Sequence, residues 1–451
     1  VAIILIVIST LSMAYGAKTL YSVDSFIKNI TKGNKNEKVY SLLVLEGDSY
    51  ETGDQVEDTP VGYAKGTDLT IAVNLMPKNA GALAMEYASY PDLANALYDK
   101  EERLIILDES FRTIVKMSHP NFFWDTKIIA CTDTEYLAKL KEREEAAGPG
   151  QNPLPTLPDD FLNQPLLPDD VKDPSEFVPG DDTYYYAGQK VDGTKPFTCF
   201  ISGMDTYGDI DIASNSDVNI ICAVNPSTHE VLLMPVPRDS YVPIYGTEGG
   251  YDKLTHAGVL GVEASANSVA DLMGIHMDSY LKVNFSTLIQ GVDLLGGITV
   301  DNPVEFTSVQ GYHFAQGQIR LNGEQALAFS RERKNLSGGD FDRGMNQTRV
   351  IKGMINEGLK PNNLLNADKL LNKMSGGFKT NMPDVAIRNL IADQIDSMAK
   401  WDIQASHLKG YGQMGLPSYF LPNYNLSFVV LYEDSVEEGR EMLLDVLEIE
   451  H

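Results

Sequence analysis

The chain has 451 residues, 43% of them apolar, and a formal net charge of −27. Its length is too great for one ordinary core and sufficient for two or three. Strong acidity, with no basic run, zinc-finger cysteine spacing or RNA-binding aromatic signature, excludes a nucleic-acid footprint.

The chain begins with Val1 to Ala17, which carries no charge, and the first basic side chain is Lys18. A membrane-spanning helix needs about 20 apolar residues, so residues 1–18 read as a transmembrane helix cut on its N-terminal side. The expectation is a retained single-pass anchor with the main domains outside the membrane; the small residues at Ser12-Met13-Ala14 leave cleavage as the alternative.

A polar amphipathic helix is expected from about Asp24 to Lys35. A smaller α/β unit then spans 24–142. Val39–Leu45 reads as a strand, and Leu69–Met76 is a second alternating or apolar stretch. Asn79–Lys100 carries helix formers interrupted by Pro91. Arg103–Leu107 and Thr126–Cys131 read as two more strands. The acidic loop Glu46–Asp58 lacks the spacing of a calcium-binding EF-hand and reads as a solvated loop.

Glu144 to Asp182 holds eight prolines and ten acidic residues against one lysine, and repeats Leu-Pro-Asp-Asp at 157–160 and 167–170. Proline stiffness and self-repulsion make residues 143–182 an extended linker.

Residues 183–451 then alternate strands with helices, which argues one large α/β domain. Strands are expected at 195–205, 217–224, 230–236, 280–284 and 426–431. Helices are expected at 263–273, 285–295 (stopped by Gly296-Gly297), from Gly323, and at 346–356. A last helix is expected behind a Ser435/Glu438 capping box. Cys131, Cys199 and Cys222 have no short spacing, and the last two read as small buried hydrophobes.

Against the acidic background stand three arginine motifs: Pro237-Arg238-Asp239, Arg331-Glu332-Arg333 and Asp340-Phe341-Asp342-Arg343. Guanidinium forks onto two oxygens at once, which is what a phosphate or pyrophosphate site requires. Arg238 follows an apolar strand, where open α/β sheets place their ligands. One such motif alone reads better as surface ion pairs, which are common and contribute little.

In order, Asp205, Ser216-Asp217, Pro237-Arg238-Asp239, Lys253 to Ala257, Gly296-Gly297, Gly323 to Leu327, Arg331-Glu332-Arg333, Asp340 to Arg343 and Gln347 form a series. That series resembles the LytR-CpsA-Psr family of cell-envelope proteins, near its capsule-associated branch, over about residues 195–450. The resemblance implies a three-layer α-β-α domain around a central mixed sheet. It implies an Mg²⁺-dependent phosphotransferase on the outer face of a Gram-positive-type cell membrane. Such an enzyme moves a glycopolymer, capsule or teichoic acid, from a polyprenyl-pyrophosphate carrier onto peptidoglycan, with the lipid in an apolar tunnel and other capsule-assembly proteins as possible partners. Carried onto this sequence, Arg238, Asp239, Arg331 and Arg333 are the expected catalytic residues. Arg238, Arg331, Arg333, Arg343 and Gln347 are the expected pyrophosphate ligands, and Asp205 and Asp217 the Mg²⁺ ligands. Asp239 either orients Arg238 or takes the acceptor's proton. His256 reads as a satisfied, non-catalytic histidine. Asn215 and Asn346 are neutral where the family carries arginine, which favours one alternative, a non-catalytic polyprenyl-phosphate-binding regulator of polymer assembly; a further alternative, a lipid pyrophosphatase using water in place of the acceptor hydroxyl, needs the same arginines.

Overall fold

The computed structural model describes residues 38–75, 85–150, 190–204, 210, 214–247, 249–358, 360 and 377–449. The expected transmembrane segment, the Asp24–Lys35 helix, Asp205 and most of the proline-rich linker lie outside the described residues. Among the described residues no helix is long and apolar enough to cross a membrane.

The first unit is a five-stranded mixed sheet in the order β3-β2-β4-β1-β5. Its strands are β1 (Tyr40–Leu45), β2 (Gly62–Ala64), β3 (Glu86–Tyr87), β4 (Ile105–Asp108) and β5 (Thr126–Cys131), with helices α1 (Tyr90–Tyr98), α2 (Arg112–Ser118) and α3 (Thr134–Ala147). Leu42, Val44 and Ile106 face one core and Leu43, Ile105 and Leu107 the other, as period-two strands buried on both faces require.

Three expectations change here. Leu69–Leu75 is helical, because the Asp68 carboxylate accepts the Thr70 N–H and hydroxyl and the Asp68 carbonyl takes the Ile71 and Ala72 N–H groups. Pro91 starts α1 instead of interrupting a helix: Ser89 caps it through the Asp92 N–H, and proline fits the first turn. Helix α3 continues into the expected linker, where Glu144 is buried and paired with Lys116 at 2.5 Å. The acidic loop is also tied down, with Arg103 forked onto Asp48 at 2.8 and 2.9 Å.

The second unit contains β6 (Phe197–Met204), β7 (Ser216–Asn225), β8 (Glu230–Pro235), β9 (Tyr241–Pro243), β10 (Tyr251–Lys253), α4 (Val262–Met273), β11 (Ser279–Asn284) and α5 (Phe285–Leu294). It continues through β12 (Ile298–Asn302), β13 (Phe306–Thr307), β14 (His313–Phe314), β15 (Gly317–Leu321), α6 (Gly323–Arg331) and α7 (Asp340–Gly358). It closes with β16 (Phe378–Thr380), α8 (Asp384–Ser397), β17 (Asp402–Ala405), β18 (Gly410–Met414), β19 (Ser427–Leu431) and α9 (Glu433–Leu447). The central sheet has the order β16-β11-β6-β7-β8-β17. β6 pairs parallel to β11 and β8 to β17, while the β6–β7, β7–β8 and β11–β16 pairs are antiparallel.

Alternation along the central strands makes two cores. Cys199, Ile201, Ile220, Cys222, Val231 and Leu233 face α5, α6, α7 and α8. Phe200, Ile221, Ala223, Leu232 and Met234 face α4 and α9. The fold is therefore a three-layer α-β-α sandwich around a mixed sheet. Cys199 and Cys222 are opposed on β6 and β7, buried and unbridged.

Helix ends follow local chemistry. Asn284 caps α5, and Gly296 and Gly297 end it with φ of 74° and 92°, a region glycine enters without steric cost. Asn322 and Gln325 form a reciprocal capping box on α6. The expected Ser435/Glu438 box is absent: Ser435 sits inside α9, and its hydroxyl accepts the Lys409 N–H at 2.8 Å.

Candidate functional site

Pairing register brings the C-terminal ends of β6, β8 and β11 to one end of the sheet, beside the start of β7: Met204 opposes Ser216 and Asn284, and Ile220 opposes Pro235. Antiparallel β7 therefore delivers Asp217 where β8 delivers Arg238. The chain leaving β8 is pinned on both sides, since the Arg238 carbonyl accepts the Thr255 N–H and the Asp239 carbonyl the Val429 N–H, each at 2.8 Å.

A cavity of about 400 Å³ opens at this end. Its deep wall is apolar, with Ile201 on β6, Leu281 on β11, Leu288 on α5, Val350 and Met354 on α7 and Phe378 on β16. Its mouth carries Asp217, Arg238, Arg331, Arg333, Lys334, Arg343 and Gln347. Six of the eight residues singled out in the sequence thus line one cavity. Asp239 stands behind them, bonded to their cations, and Asp205 lies outside the described residues. Lipid-like chemistry inside and cationic chemistry at the rim meet in one space.

The charges are ordered. Arg238 Nη1 lies 2.9 Å from Asp217 Oδ2, and the Thr255 hydroxyl donates to Asp217 Oδ1 at 3.1 Å. Asp239 gathers three cations, with Lys253 at 3.1 Å, Arg333 at 3.4 Å and Arg238 at 4.0 Å. Burial acts to raise the Asp239 pKa, but Lys253, Arg238 and Arg333 outweigh it and hold the carboxyl below its ordinary value. A carboxylate held charged in this way is a poor proton acceptor, so the geometry favours its orienting role. Burial would lower the Arg238 pKa; Asp217 and Asp239 more than compensate. Asp340, ion-paired with Arg343, is raised by burial, only partly offset by Arg343.

Glu332 explains how Arg331 and Arg333 both reach the mouth. Its buried carboxylate accepts the Val309 N–H at 2.6 Å, the Arg333 N–H at 3.0 Å and the Asn335 N–H at 2.9 Å. The middle residue of the motif thus turns inward to fix the loop while its neighbours turn outward. Arg331 stacks over the Phe285 ring at 4.5 Å. The sequence motifs include Glu332 and Thr255 but give them no role, and they leave out Lys334, because these roles depend on backbone atoms and partners far away in the chain.

Asn215 and Asn346 do not line the cavity. Asn346 is buried against α6 and accepts Arg349 Nη1 at 2.8 Å. Next to Asn215, Gly258 packs so tightly that a Cβ there would lie 2.4 Å from the Ser214 carbonyl oxygen. His256 is fully buried, with Nδ1 2.7 Å from Asp252, away from the cavity.

Among the described residues each Asp217 oxygen accepts one bond, which leaves it a further lone pair on the cavity wall. Among the described residues no cluster of three or more metal-binding side chains occurs. A lone carboxylate fits Mg²⁺, which takes one or two carboxylates and draws its other oxygens from phosphate and water.

The chain resembles proteins named polyisoprenyl-teichoic acid–peptidoglycan teichoic acid transferase TagU. The Oceanobacillus iheyensis relative is 34% identical over 205 residues, covering 44% of this chain and 62% of that protein. The Bacillus anthracis relative is 35% identical over 196 residues, covering 43% and 63%. The chain thus spans less than two thirds of the length of either. The B. subtilis TagV crystal structure aligns with a TM-score of 0.48 and 27% identity, covering 57% of this chain and 99% of that one. The model of the LytR_cpsA_psr family matches residues 172–429, more than half of the sequence, and the chain belongs to the LytR-CpsA-Psr family.

Proposed function

We propose that this protein is a phosphotransferase of the outer envelope face, moving a glycopolymer from a polyprenyl-pyrophosphate carrier onto peptidoglycan. The observation that carries this reading is the single cavity whose wall is apolar and whose mouth bears four arginines and a lysine. A polyprenyl chain fits the first and a pyrophosphate the second. The relatives' names supply the polymer class, teichoic acid, and the acceptor.

In the proposed step an acceptor hydroxyl oxygen bonds to the glycan-side phosphorus, and the bond from that phosphorus to the bridging oxygen breaks. Polyprenyl phosphate leaves, and the hydroxyl's proton passes to the oxygen that the broken bond frees on that phosphate. Negative charge grows on the leaving phosphate, so preorganised cations are the main catalytic resource. Arg238 and Arg343, set by Asp217 and Asp340, hold one side of the diphosphate. Arg331 and Arg333, set by Glu332 and Asp239, hold the other, with Gln347 donating an amide hydrogen bond. Asp217, together with Asp205, would hold Mg²⁺, which would neutralise phosphate charge. The helix expected over residues 1–18 would keep the enzyme at the membrane where the carrier resides.

Incubating the purified chain with Mg²⁺, a carrier-linked oligosaccharide and peptidoglycan fragments tests the reading. Transfer is expected, with a loss of about 10²–10³-fold in Arg238→Ala. Carrier binding without any transfer would leave a carrier-binding regulator, and release of free glycan phosphate a pyrophosphatase.

A further inference from the structure

Beside the cavity mouth the β13–β14 hairpin presents an unusual surface. Val304, Val309 and Tyr312 are 59, 62 and 36% exposed. A single exposed apolar side chain is ordinary, but here Val309 and Tyr312 share one turn, Val304 precedes the hairpin's first strand, and Val309 also lines the cavity. The root of the hairpin is fixed: Phe306 and Phe314 are buried, with ring centroids 5.4 and 5.2 Å from that of Phe329. The tip is held in place as well. The Val309 N–H is bound by Glu332, and the Thr307 carbonyl accepts Asn335 Nδ2 at 2.9 Å. The apolar side chains are therefore a built projection alongside exposed Arg331, Arg333 and Lys334. The hairpin's own carboxylate, Glu305, stands 3.9 Å from His313 at its base.

Three cations beside exposed apolar side chains, in a chain of net charge −27, is the composition of an interfacial membrane contact. Apolar tips enter the acyl boundary while Lys334, which the diphosphate reading leaves unassigned, meets anionic headgroups. Continuity with the cavity gives the contact a purpose, because Val309 belongs to both surfaces. We propose that residues 304–312 seat on the surface of an anionic bilayer and set the mouth of the apolar cavity level with the lipid, so that a carrier chain passes inside without crossing water. The inference rests on the carrier reading above.

The full chain is tested as Tyr312→Trp on vesicles of phosphatidylglycerol and phosphatidylcholine carrying acyl-chain bromines, with the parent protein (Trp124 and Trp401) as the baseline. An N-terminal anchor would attach both proteins, so the readout is local to the hairpin. The added emission is expected to shift to the blue and be quenched, and to lose that quenching when Val304→Glu or Lys334→Gln is combined with it. Unshifted, unquenched emission overturns the proposal, as does a shift that follows self-association of the chain or a protein partner instead of lipid. Calorimetry with a water-soluble short-chain polyprenyl pyrophosphate separates the two readings. Carrier binding without hairpin quenching sinks only the hairpin's role, and quenching without carrier binding sinks the carrier reading.

Discussion

Glu332 lines the cavity but spends its carboxylate on the backbone, and two expected pyrophosphate ligands depend on it. Its buried carboxylate is the acceptor for three backbone N–H groups, and a neutral amide offers one acceptor oxygen where the carboxylate offers two. Glu332→Gln is expected to cost about 1–3 kcal/mol of stability and to weaken carrier binding, because Arg331 and Arg333 lose their common support. Thermal unfolding with carrier titration checks both; unchanged affinity would show that the arginines hold position without it. Asp252 makes a second prediction, in acid. It is fully buried, accepting the Ser418 hydroxyl at 2.7 Å and the Phe420 N–H at 2.8 Å, and paired with His256. Burial acts to raise its pKa, but His256 and these donors outweigh it, so the folded value lies below the ordinary one. An acid depressed on folding contributes stability that is present above its unfolded pKa, about 3.9, and lost as pH falls through the folded value. Asp252→Asn should therefore lower Tm fully at neutral pH, by the equivalent of about 1–3 kcal/mol for buried donors left with a poorer acceptor. The gap from the parent should close below about pH 4, which Tm measured against pH will show. A gap independent of pH would mean that charge at Asp252 is irrelevant.

The cavity is a property of elements. β6, β11 and β16 form its floor, while α5 and α7 form its walls. Leu288 on α5 is half-buried and lines it, so Leu288→Trp fills part of about 400 Å³ without touching the arginines. Affinity for a long polyprenyl pyrophosphate should fall by about tenfold or more, equivalent to about 1.4 kcal/mol, while a short-chain analogue binds as before. Equal loss for both lengths would place the lipid elsewhere. These walls show why motifs were legible and the tunnel was not. Arg238 and Arg331-Glu332-Arg333 announce themselves as cations in an acidic chain, and β6, β7 and β8 announce themselves as apolar runs, since strands covered on both faces have no polar side. Leu281, Leu288, Val350 and Phe378 look like any core residue, and only pairing of β11 with β16, with α5 and α7 packed over that face of the sheet, makes them neighbours. The short turn Leu69–Ala72 was missed for a local reason: Asp68 converts an apolar stretch into a helix through its side chain.

The two units meet through α2. Ile114 is completely buried, and it packs in the core that α4 and α9 share with the central sheet, not in the first unit's own cores. Phe111 lies 5.8 Å from Phe420 between ring centroids. Phe420 donates its N–H to Asp252, the residue before Lys253, whose ammonium holds Asp239 in the cationic mouth. A contact at the face of the first unit is thus bonded, through a short series of buried groups, to the proposed pyrophosphate site. The arrangement gives the first unit a physical role in the second: it covers apolar surface and immobilises the segment that carries Phe420. Ile114→Asp places a charge in that buried contact and should break it without entering the cavity. Loss of a buried aliphatic side chain costs about 2–5 kcal/mol, and an unpaired charge adds to that, so the units should separate before either unfolds. Calorimetry should then resolve two transitions where the parent shows one, and transfer should fall as Lys253 and Asp239 loosen, with Phe420→Ala giving the same pattern from the other side. A single unshifted transition in both variants would mean that the two units fold and act independently of this contact.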